Sequence, residues 1–560
     1  MRKIWKIREP DVSKAKALSK SLNISEITAQ ILLNRGVDSP DEAQSFLNCH
    51  ISSSHDPNLL KDIAKAVDRI KQAVSRGEKI LVYGDYDVDG MTGVTLLYSA
   101  IRHLGGNVEN YIPNRLEEGY SLNLAAIRTA HKKKISLIVT VDCGITSFKE
   151  IDYANSLDID VIVTDHHEIS DEGLPQAYSI INPLRDGCGY PFKHLSGVGL
   201  AYKLSRLLLD GTDMPHEDFL DLVALGTVAD IAPQVDENRV LTKYGLSRLT
   251  RTRRAGLRAL IESSGLDGKE ISSGHVGFIL GPRINAMGRI GSPDVALKLL
   301  LTDDTDEAAR LADILNTENR NRQRIEAQIL SEAVAKVERE VNFKHHRVIV
   351  LESASWHPGV IGIVASRIAE RFYRPTFLIA TGGKMGKGSG RSIAGFHLFD
   401  ALLKCREHLL GFGGHEGACG ITVEKENIAG FRDAINKAAS AALKDEDMFP
   451  KLAVDVEVPL GKIDEKVIDE LESLAPFGPD NPRPVLASSS VVVKDSPRLI
   501  GKGGFKLFVT DDNITCEAVS FGRNDLDIPV IGSKIDIAYT PSINTWQGIS
   551  SLQLEIKDIK

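Results

Sequence analysis

Short apolar runs alternate with amphipathic stretches through the first half of the chain. Lys79-Ile-Leu-Val-Tyr83, Val108–Ile112, Ser136–Val141 and Val161–Thr164 are unbroken and β-rich. Between them Thr92–Leu104, Leu124–Lys132 and Phe148–Ser156 carry helical spacing. Short, continuous β-rich runs alternating with helices predict a parallel sheet covered on both faces. A helical region follows over 195–260. Thr305 to Glu340 is charged, rich in Ala, Leu, Glu and Arg, and free of Gly and Pro, which predicts one long connecting helix. A second α/β block opens at Arg347-Val-Ile-Val-Leu351 and is Gly-rich from 382 to 420. The texture then changes to short alternating runs at 454–458, 490–494, 505–509, 534–538 and 552–557. These five strands predict a small OB-fold β-barrel. The expected organisation is an N-terminal helical segment (1–60), a catalytic α/β domain (61–300), a connector helix (301–342), a second α/β domain (343–447) and the barrel (448–560).

Composition narrows the class. The 560 residues are 26% charged and 42% hydrophobic, which excludes a disordered, collagen-like or rod-like chain. Lys+Arg 68 against Asp+Glu 76 leaves a net charge of −8, so no global basic field attracts nucleic acid. A nucleic-acid partner must be held by a local basic patch or by bound metal ions. The six cysteines are scattered without a CxxC pair, which suits a reducing compartment and argues against a zinc finger. The N-terminus lacks the apolar core of a signal peptide, and no run approaches the ~18 apolar residues of a membrane span. A cytoplasmic location with no membrane partner is expected.

Chemistry concentrates in Gly84-Asp85-Tyr-Asp87-Val-Asp89-Gly90, directly after a strand. Three carboxylates within five residues repel one another unless a cation neutralises them. Asp-x-Asp-x-Asp-Gly also opens an EF-hand loop, but the twelfth position is Leu96 rather than an acid, and a strand precedes it. A solvated acidic turn is the other reading. It weakens because the strand at 136–141 ends in Asp142-Cys-Gly and the strand at 161–164 ends in Asp165-His166-His167. Ligands of open α/β sheets sit beyond the carboxyl ends of the strands, so the three segments converge on one crevice. Asp87, Asp89, Asp142 and His166 would supply the oxygen and imidazole ligands that suit Mn²⁺ or Mg²⁺. Asp221 and Asp230 lie in the apolar stretch Phe219–Asp230, where an aspartate serves as a cap, a salt bridge or a further ligand.

Asp85-Tyr-Asp-Val-Asp-Gly, Val141-Asp-Cys-Gly, Asp165-His-His and Ala224-Leu-Gly-Thr-Val-Ala-Asp230 resemble the ordered motifs of the DHH phosphoesterase superfamily. Within it they are most similar to the branch of single-strand-specific 5′→3′ DNA exonucleases. Similar stretches follow in order at Pro113–Tyr120, Gly281–Arg289, Trp356–Arg367, Gly388–Ser392, Gly413–Gly420 and Pro476–Pro482, so the resemblance covers nearly the whole chain. Met287 departs from it, standing where the family more often has a small residue.

The resemblance implies a parallel-sheet DHH domain joined by a long helix to a second α/β domain of DHHA1 type, plus the OB-fold barrel. It implies a metal-dependent exonuclease of recombination and repair that degrades single-stranded DNA 5′→3′ to 5′-mononucleotides. Two divalent ions (Mn²⁺ or Mg²⁺) would be held by Asp87, Asp89, Asp142, His166 and Asp230, with Asp142 bridging. His167 would face the scissile phosphate, and Asp85 would act as a ligand or a supporting carboxylate. Arg115, Arg289, Ser389 and Arg391 would form an anion pocket for the 5′ end, with Arg283 and Asn285 as further substrate contacts. Bidentate guanidinium groups suit a terminal phosphate. Tyr120 is either a base-stacking platform or a core tyrosine. His357 is a substrate contact or a helix cap, and His415 approaches phosphate or packs in a turn. Gly382–Ser392, with Lys384, Lys387 and Arg391 and no acid, reads as an anion-binding loop or as an ordinary hairpin. Lys494, Arg498, Lys502 and Lys506, with Phe505 and Phe508, would extend a DNA track over the barrel, unless the alternation there is simply core packing. A helicase and a single-strand-binding protein are the implied protein partners of a monomeric enzyme. Two other readings are a phosphodiesterase for short oligonucleotides, which the added barrel disfavours, and a non-catalytic DNA-binding scaffold, which the intact aspartates and histidines disfavour.

Overall fold

The unbroken apolar runs become adjacent strands because each residue in turn faces one of two cores. The computed structural model describes residues 3–115, 118, 119, 121–501, 503–522, 526–546 and 549–560; Tyr120 and Lys502 lie outside the described residues. The first sheet contains β1 (Lys79–Gly84), β2 (Asn107–Tyr111), β3 (Ile135–Val141), β4 (Asp160–Thr164) and β5 (Ser179–Ile181). All its pairings are parallel, in the order β2-β1-β3-β4-β5. Ile80, Val82, Leu137 and Val139 pack into one core with Val94, Leu97, Leu200 and Leu204. Leu81, Tyr83, Ile138 and Val161 pack into a second with Ile127, Ala130, Ile151 and Ala154.

Helix α1 (Val88–His103) begins four residues before the expected start, because Asp87 caps it by accepting from the Gly90 N–H at 3.1 Å. The acidic motif is therefore half loop and half first helical turn. Helices α2 (Gly197–Leu208) and α3 (Leu220–Ala229) pack on α1; residues 220–227 of α3 are all buried, which accounts for its unbroken apolar sequence. Helix α4 (Gly281–Ile290) follows, and α5 (Thr305–Glu340) is continuous for 36 residues.

Two compact units result. One comprises Arg35–Asn319 and Glu472–Arg483; the other comprises Met1–Asn34, Arg320–Leu471 and Pro484–Lys560. The second unit contains a mixed sheet of β6 (Ile349–Ser353), β7 (Thr376–Ala380), β8 (Met385–Arg391), β9 (Gly411–Gly414) and β10 (Ala418–Glu424), in the order β9-β10-β8-β7-β6, with α6 (Ile361–Phe372) between β6 and β7. The Gly-rich stretch, read as an anion-binding loop or an ordinary hairpin, carries the strand β8, which pairs antiparallel with the preceding β7. Its alternating glycines clear neighbouring side chains: a Cβ on Gly388 would lie 2.6 Å from Ile421, and one on Gly390 would lie 2.6 Å from Cys419 and Phe377.

Among the described residues the barrel has seven strands rather than about five: β11 (Val456–Glu457), β12 (Leu486–Val493), β13 (Arg498–Ile500), β14 (Gly504–Thr510), β15 (Thr515–Ser520), β16 (Lys534–Trp546) and β17 (Ile549–Ile559). Their order is β11-β12-β16-β17-β15-β14-β13, and a β12–β14 pairing closes the sheet. The run 454–458 breaks at Asp455, whose carboxylate accepts from the Val485 N–H at 3.0 Å. Phe505 is buried in the barrel and offers no stacking face. The first 60 residues are not wholly helical either. Ile4–Ile7 is a strand paired in parallel with Lys451–Val454, and the Trp5 indole donates to Asp558 at 2.7 Å. The six cysteines form no disulfide. No helix among the described residues is long and apolar enough to cross a membrane.

Candidate metal centre

The strand order reverses between β1 and β3, which places a crevice at their carboxyl ends. Asp85, Asp87 and Asp89 follow β1, Asp142 follows β3, Asp165, His166 and His167 follow β4, and Asp230 caps the C-terminus of α3. Asp85, Asp89, Asp142 and Asp165 are buried. The Asp89 carboxylate accepts from the Gly197 and Val198 N–H groups at 2.6 and 2.8 Å, so the positive end of α2 fixes its rotamer. Gly197 permits that approach: a Cβ there would lie 2.5 Å from the Cβ of Asp142. Asp142 occupies the left-handed region at φ 62, as does Ile231, beside Asp230, at φ 61. For a β-branched residue this costs about 1–2 kcal/mol.

His166 Nε2 lies 3.0 Å from Asp142 Oδ1 and 3.9 Å from both Asp89 Oδ2 and Asp230 Oδ2. Donor atoms of Asp89, His166 and Asp230 fall within 4.8 Å of one another, as do those of Asp85, Asp87 and Asp142, and those of Asp142, His166 and His167. Asp142 and His166 are each shared between two groups. Asp85 Oδ1, Asp142 Oδ1 and His166 Nε2 are buried without a hydrogen-bond partner. Burial and the charge of His167 lower His166 to a pKa of about 4, so its close approach to Asp142 is not an ion pair. Burial and then Asp87 push Asp89 up to about 7; burial and neighbouring carboxylates likewise raise Asp85, Asp142 and Asp230 well above the ordinary range. Acidic oxygens that disfavour one another's ionisation and a neutral imidazole nitrogen, crowded together with buried atoms left without hydrogen-bond partners, form a donor set that fits hard or borderline divalent cations.

His167 behaves differently. Burial opposes its charge, but Asp165 accepts from Nδ1 at 2.7 Å and outweighs it, and the pKa is pushed up to about 9. Asp165 also accepts from the His167 and Ile145 N–H groups, at 3.1 and 2.9 Å. It was missed as a site residue, although its place at the head of Asp-His-His marked it. Tyr86 was missed too. Arg115 lies over its ring at 4.8 Å, Arg289 acts electrostatically on it, and α4 packs on it through Gly288. Asn285 Oδ1 accepts from the Val88 N–H at 3.2 Å and so touches the start of α1.

Arg283 is directed elsewhere: it donates to Asn316 of α5 and to the Ile279 carbonyl, both at 2.6 Å. Asp221 is structural, accepting from Thr252 at 2.7 Å and from Arg254 at 3.3 Å. In the second unit, Arg391 donates to Ser389 Oγ at 3.0 Å and both lie against Gly362 in the first turn of α6. His357 accepts from the Gly359 N–H at 3.1 Å in the turn preceding α6. His415 is exposed in the β9–β10 hairpin, its N–H donating to the Ala418 carbonyl at 2.8 Å. Of the basic track, Lys494 and Arg498 are exposed, and Lys506 pairs with Glu517.

Comparison with known proteins locates this geometry. The DHH family N-terminal domain matches residues 79–227, the DHHA1 domain 345–441 and the RecJ OB domain 454–558. The single-stranded-DNA-specific exonuclease RecJ of Bacillus subtilis is 40% identical over 558 residues, covering 99% of this chain and 70% of the relative. The crystal structure of RecJ from Thermus thermophilus with Mn²⁺ matches at a TM-score of 0.86 and 29% identity, over all of this chain and 80% of that one. The Mg²⁺ complex of the same protein matches at 0.80 and 28% identity, over all of this chain and 78% of that one.

Proposed function

The chain belongs to the RecJ family of single-stranded-DNA-specific exonucleases, and from that premise we propose that it removes 5′-mononucleotides from the 5′ end of single-stranded DNA, using divalent metal ions, in recombination and repair. The observation that carries this reading is the shared cluster of Asp89, Asp142, His166 and Asp230, in which buried donors approach to 3.0 Å without hydrogen bonds. Asp87, Asp89, Asp142, His166 and Asp230 would hold two divalent ions, Mn²⁺ or Mg²⁺. Bound there, the pair supplies an acidified water and charge compensation at the scissile phosphate. No covalent nucleophile is required.

The chain's own groups do the rest. The α2 N-terminus aims Asp89 and offsets part of the cost of its burial. Asp165 fixes His167 through Nδ1 and keeps the ring cationic at neutral pH, which leaves Nε2–H as the donor to a phosphate oxygen. Asp85, buried behind Asp87, is a supporting carboxylate. Arg115, over the Tyr86 ring, and Arg289, which acts on it electrostatically, contact the strand's phosphates, and Asn285 holds the start of α1. Ser389 and Arg391 bind the terminal 5′-phosphate, the first turn of α6 adding its N–H groups. The barrel binds the strand beyond the reacting end through Lys494, Arg498 and Phe508. The enzyme acts as a cytoplasmic monomer on strands exposed by a helicase and covered by a single-strand-binding protein.

Product analysis tests this. With Mg²⁺ or Mn²⁺, a 5′-labelled single strand should release labelled mononucleotide from the first turnover, whereas a 3′-labelled one shortens gradually and a blunt duplex persists. Asp142→Ala should lose activity by orders of magnitude while retaining DNA binding. Release of label first from the 3′ end, or undiminished hydrolysis in chelator, refutes the proposal.

A further inference from the structure

The segment Glu472–Arg483 has no part in the chemistry above. It lies within the stretch matched by the RecJ OB domain, yet it packs into the unit that carries the acidic crevice. Its backbone offers a row of acceptors. The Pro479 carbonyl accepts from the Gln234 N–H at 2.8 Å, and that of Phe477 accepts from Ser273 Oγ at 2.8 Å. The Pro482 carbonyl accepts from Arg35 at 2.6 Å, and that of Ser473 accepts from Arg239 at 3.3 Å. Asn481 is fully buried and knits the segment together, donating through Nδ2 to the Leu474 and Pro476 carbonyls at 2.9 and 2.8 Å. Gly478 rests on Gln234, where an added Cβ would lie 2.5 Å from Cγ.

Gln234 is four residues beyond Asp230. Between them α3 ends in a Schellman turn, with Ile231 N–H on Val228 O and Ala232 N–H on Thr227 O, both at 3.2 Å. The left-handed position of such a turn normally belongs to glycine. Here it is Ile231, whose side chain is 70% exposed, so burial does not offset the strain. A strained turn persists only where its surroundings over-determine it. On the helix side that constraint comes from the carbonyls of α3. On the far side it comes from Gln234, whose Nε2 donates to the Ala232 carbonyl at 3.1 Å and whose backbone is gripped by Pro479.

We propose that the strap Pro476–Pro482 positions Asp230, holding Gln234 so that the strained turn aims the carboxylate at the metal cluster. Gly478, Pro479 and Asn481 are thus positioning residues for a reaction they do not touch. The inference rests on Asp230 being a metal ligand.

Mn²⁺ binding to the full-length protein, followed by the electron paramagnetic resonance of free Mn²⁺, tests it apart from turnover. Gly478→Ala should weaken Mn²⁺ binding by about tenfold, as outer partners of metal ligands do, with DNA affinity unchanged. Adding Gln234→Ala removes the atoms that the new Cβ meets, and should restore binding to within about twofold of Gln234→Ala alone. Ser273→Ala, which releases Phe477 without adding bulk, should weaken Mn²⁺ binding severalfold if Gly478→Ala does not fold. Asp230→Ala separates the two claims. Unchanged Mn²⁺ binding there removes Asp230 from the ligand set. Weakened binding there, with parental isotherms for Gly478→Ala and Ser273→Ala, overturns the positioning role, as does failure of the double variant to recover.

Discussion

Chelating the divalent cations should leave the stability of the catalytic unit falling with pH between 6.5 and 8. His167 has a folded pKa of about 9 against 6.5 unfolded, so its stabilisation is complete below 6.5 and is lost as pH rises toward 9. At ~1.36 kcal/mol per unit, the interval up to pH 8 corresponds to about 2 kcal/mol. The side chain is 33% exposed, and solvent screening reduces this to about 1 kcal/mol. Asp89 is raised to about 7, so it too destabilises as pH rises, although most of its effect is spent below pH 6.5 and under ~1 kcal/mol remains. Two groups oppose this trend outside the window. His166, lowered to about 4, loses stability only as pH falls below 6.5. Lys203, lowered to about 8 by burial against the pull of Glu237, regains stability only above that. The net loss is about 1–2 kcal/mol, which for a unit of this size lowers Tm by roughly 2–3 °C. Differential scanning calorimetry in EDTA at pH 6.5 and 8 measures it, with a paired run in saturating Mg²⁺. Bound cations hold the carboxylates ionised and His166 neutral at both pH values, which removes the Asp89 contribution of under ~1 kcal/mol and leaves that of His167, so the drop should shrink without vanishing. A Tm in EDTA that is flat or rises over this interval, or an equal drop with Mg²⁺, refutes the electrostatic account of the cluster.

Asp165→Asn should remove what keeps His167 cationic, so the alkaline limb of the rate profile moves from near 9 toward 6.5; an unmoved limb in a pH–kcat series counts against that role. Gly197→Ala drives a Cβ to 2.5 Å from that of Asp142, which should cost about 1–3 kcal/mol in denaturant unfolding. The same displacement of Asp142 by ~1 Å should lower kcat on the order of 10²-fold, and near-parental turnover would show that the ligand does not need this wall. Arg391→Ala should cut the preference for phosphorylated over hydroxyl 5′ ends by roughly tenfold, as expected on losing a charge-assisted bond. Competition between the two strands reads that ratio, and an unchanged value rules Arg391 out of end recognition.

The parts of this molecule that could be read from sequence share a physical property: their signal is local. Three of the five sheet strands, β1, β3 and β4, are continuous apolar runs because both faces are buried, whereas β2 is only half-buried and β5 gave no such signal; α5 is unbroken because nothing in 305–340 opposes a helix. The acidic strand ends were legible because like charges left side by side demand a counter-charge. Where the reading failed, long-range packing had overridden local chemistry. Glycines at 386, 388 and 390 left an anion-binding loop and a hairpin both open, and only the side chains of Ile379, Ile421 and Phe377 laid over them make the stretch a hairpin strand. Phe505 looked like a platform because alternation alone does not tell the inner face of a barrel from the outer. Ile4–Ile7 is a strand only because Lys451–Val454 lies alongside it.

The metal centre follows the same division. Which residues could bind a cation was written into three short motifs, whereas what aims them was not. Asp89 is oriented by N–H groups of Gly197 and Val198 that lie more than a hundred residues away, and Arg283, from a motif beside the site, ends on Asn316 instead. Asp230 is the strongest case. From spacing alone it was as readily a cap as a ligand, and it is in fact the C-cap of α3 as well as a member of the cluster. Its backbone N–H can end the helix while its carboxylate faces the cluster only if the turn beyond it is rigid. That rigidity is supplied by Ile231 in an unfavourable conformation and by a loop some 250 residues downstream. The catalytic unit therefore cannot be delimited by its motifs: residues 472–483, embedded in sequence that otherwise builds a barrel, belong to the site's scaffold as much as β1 or α3 does.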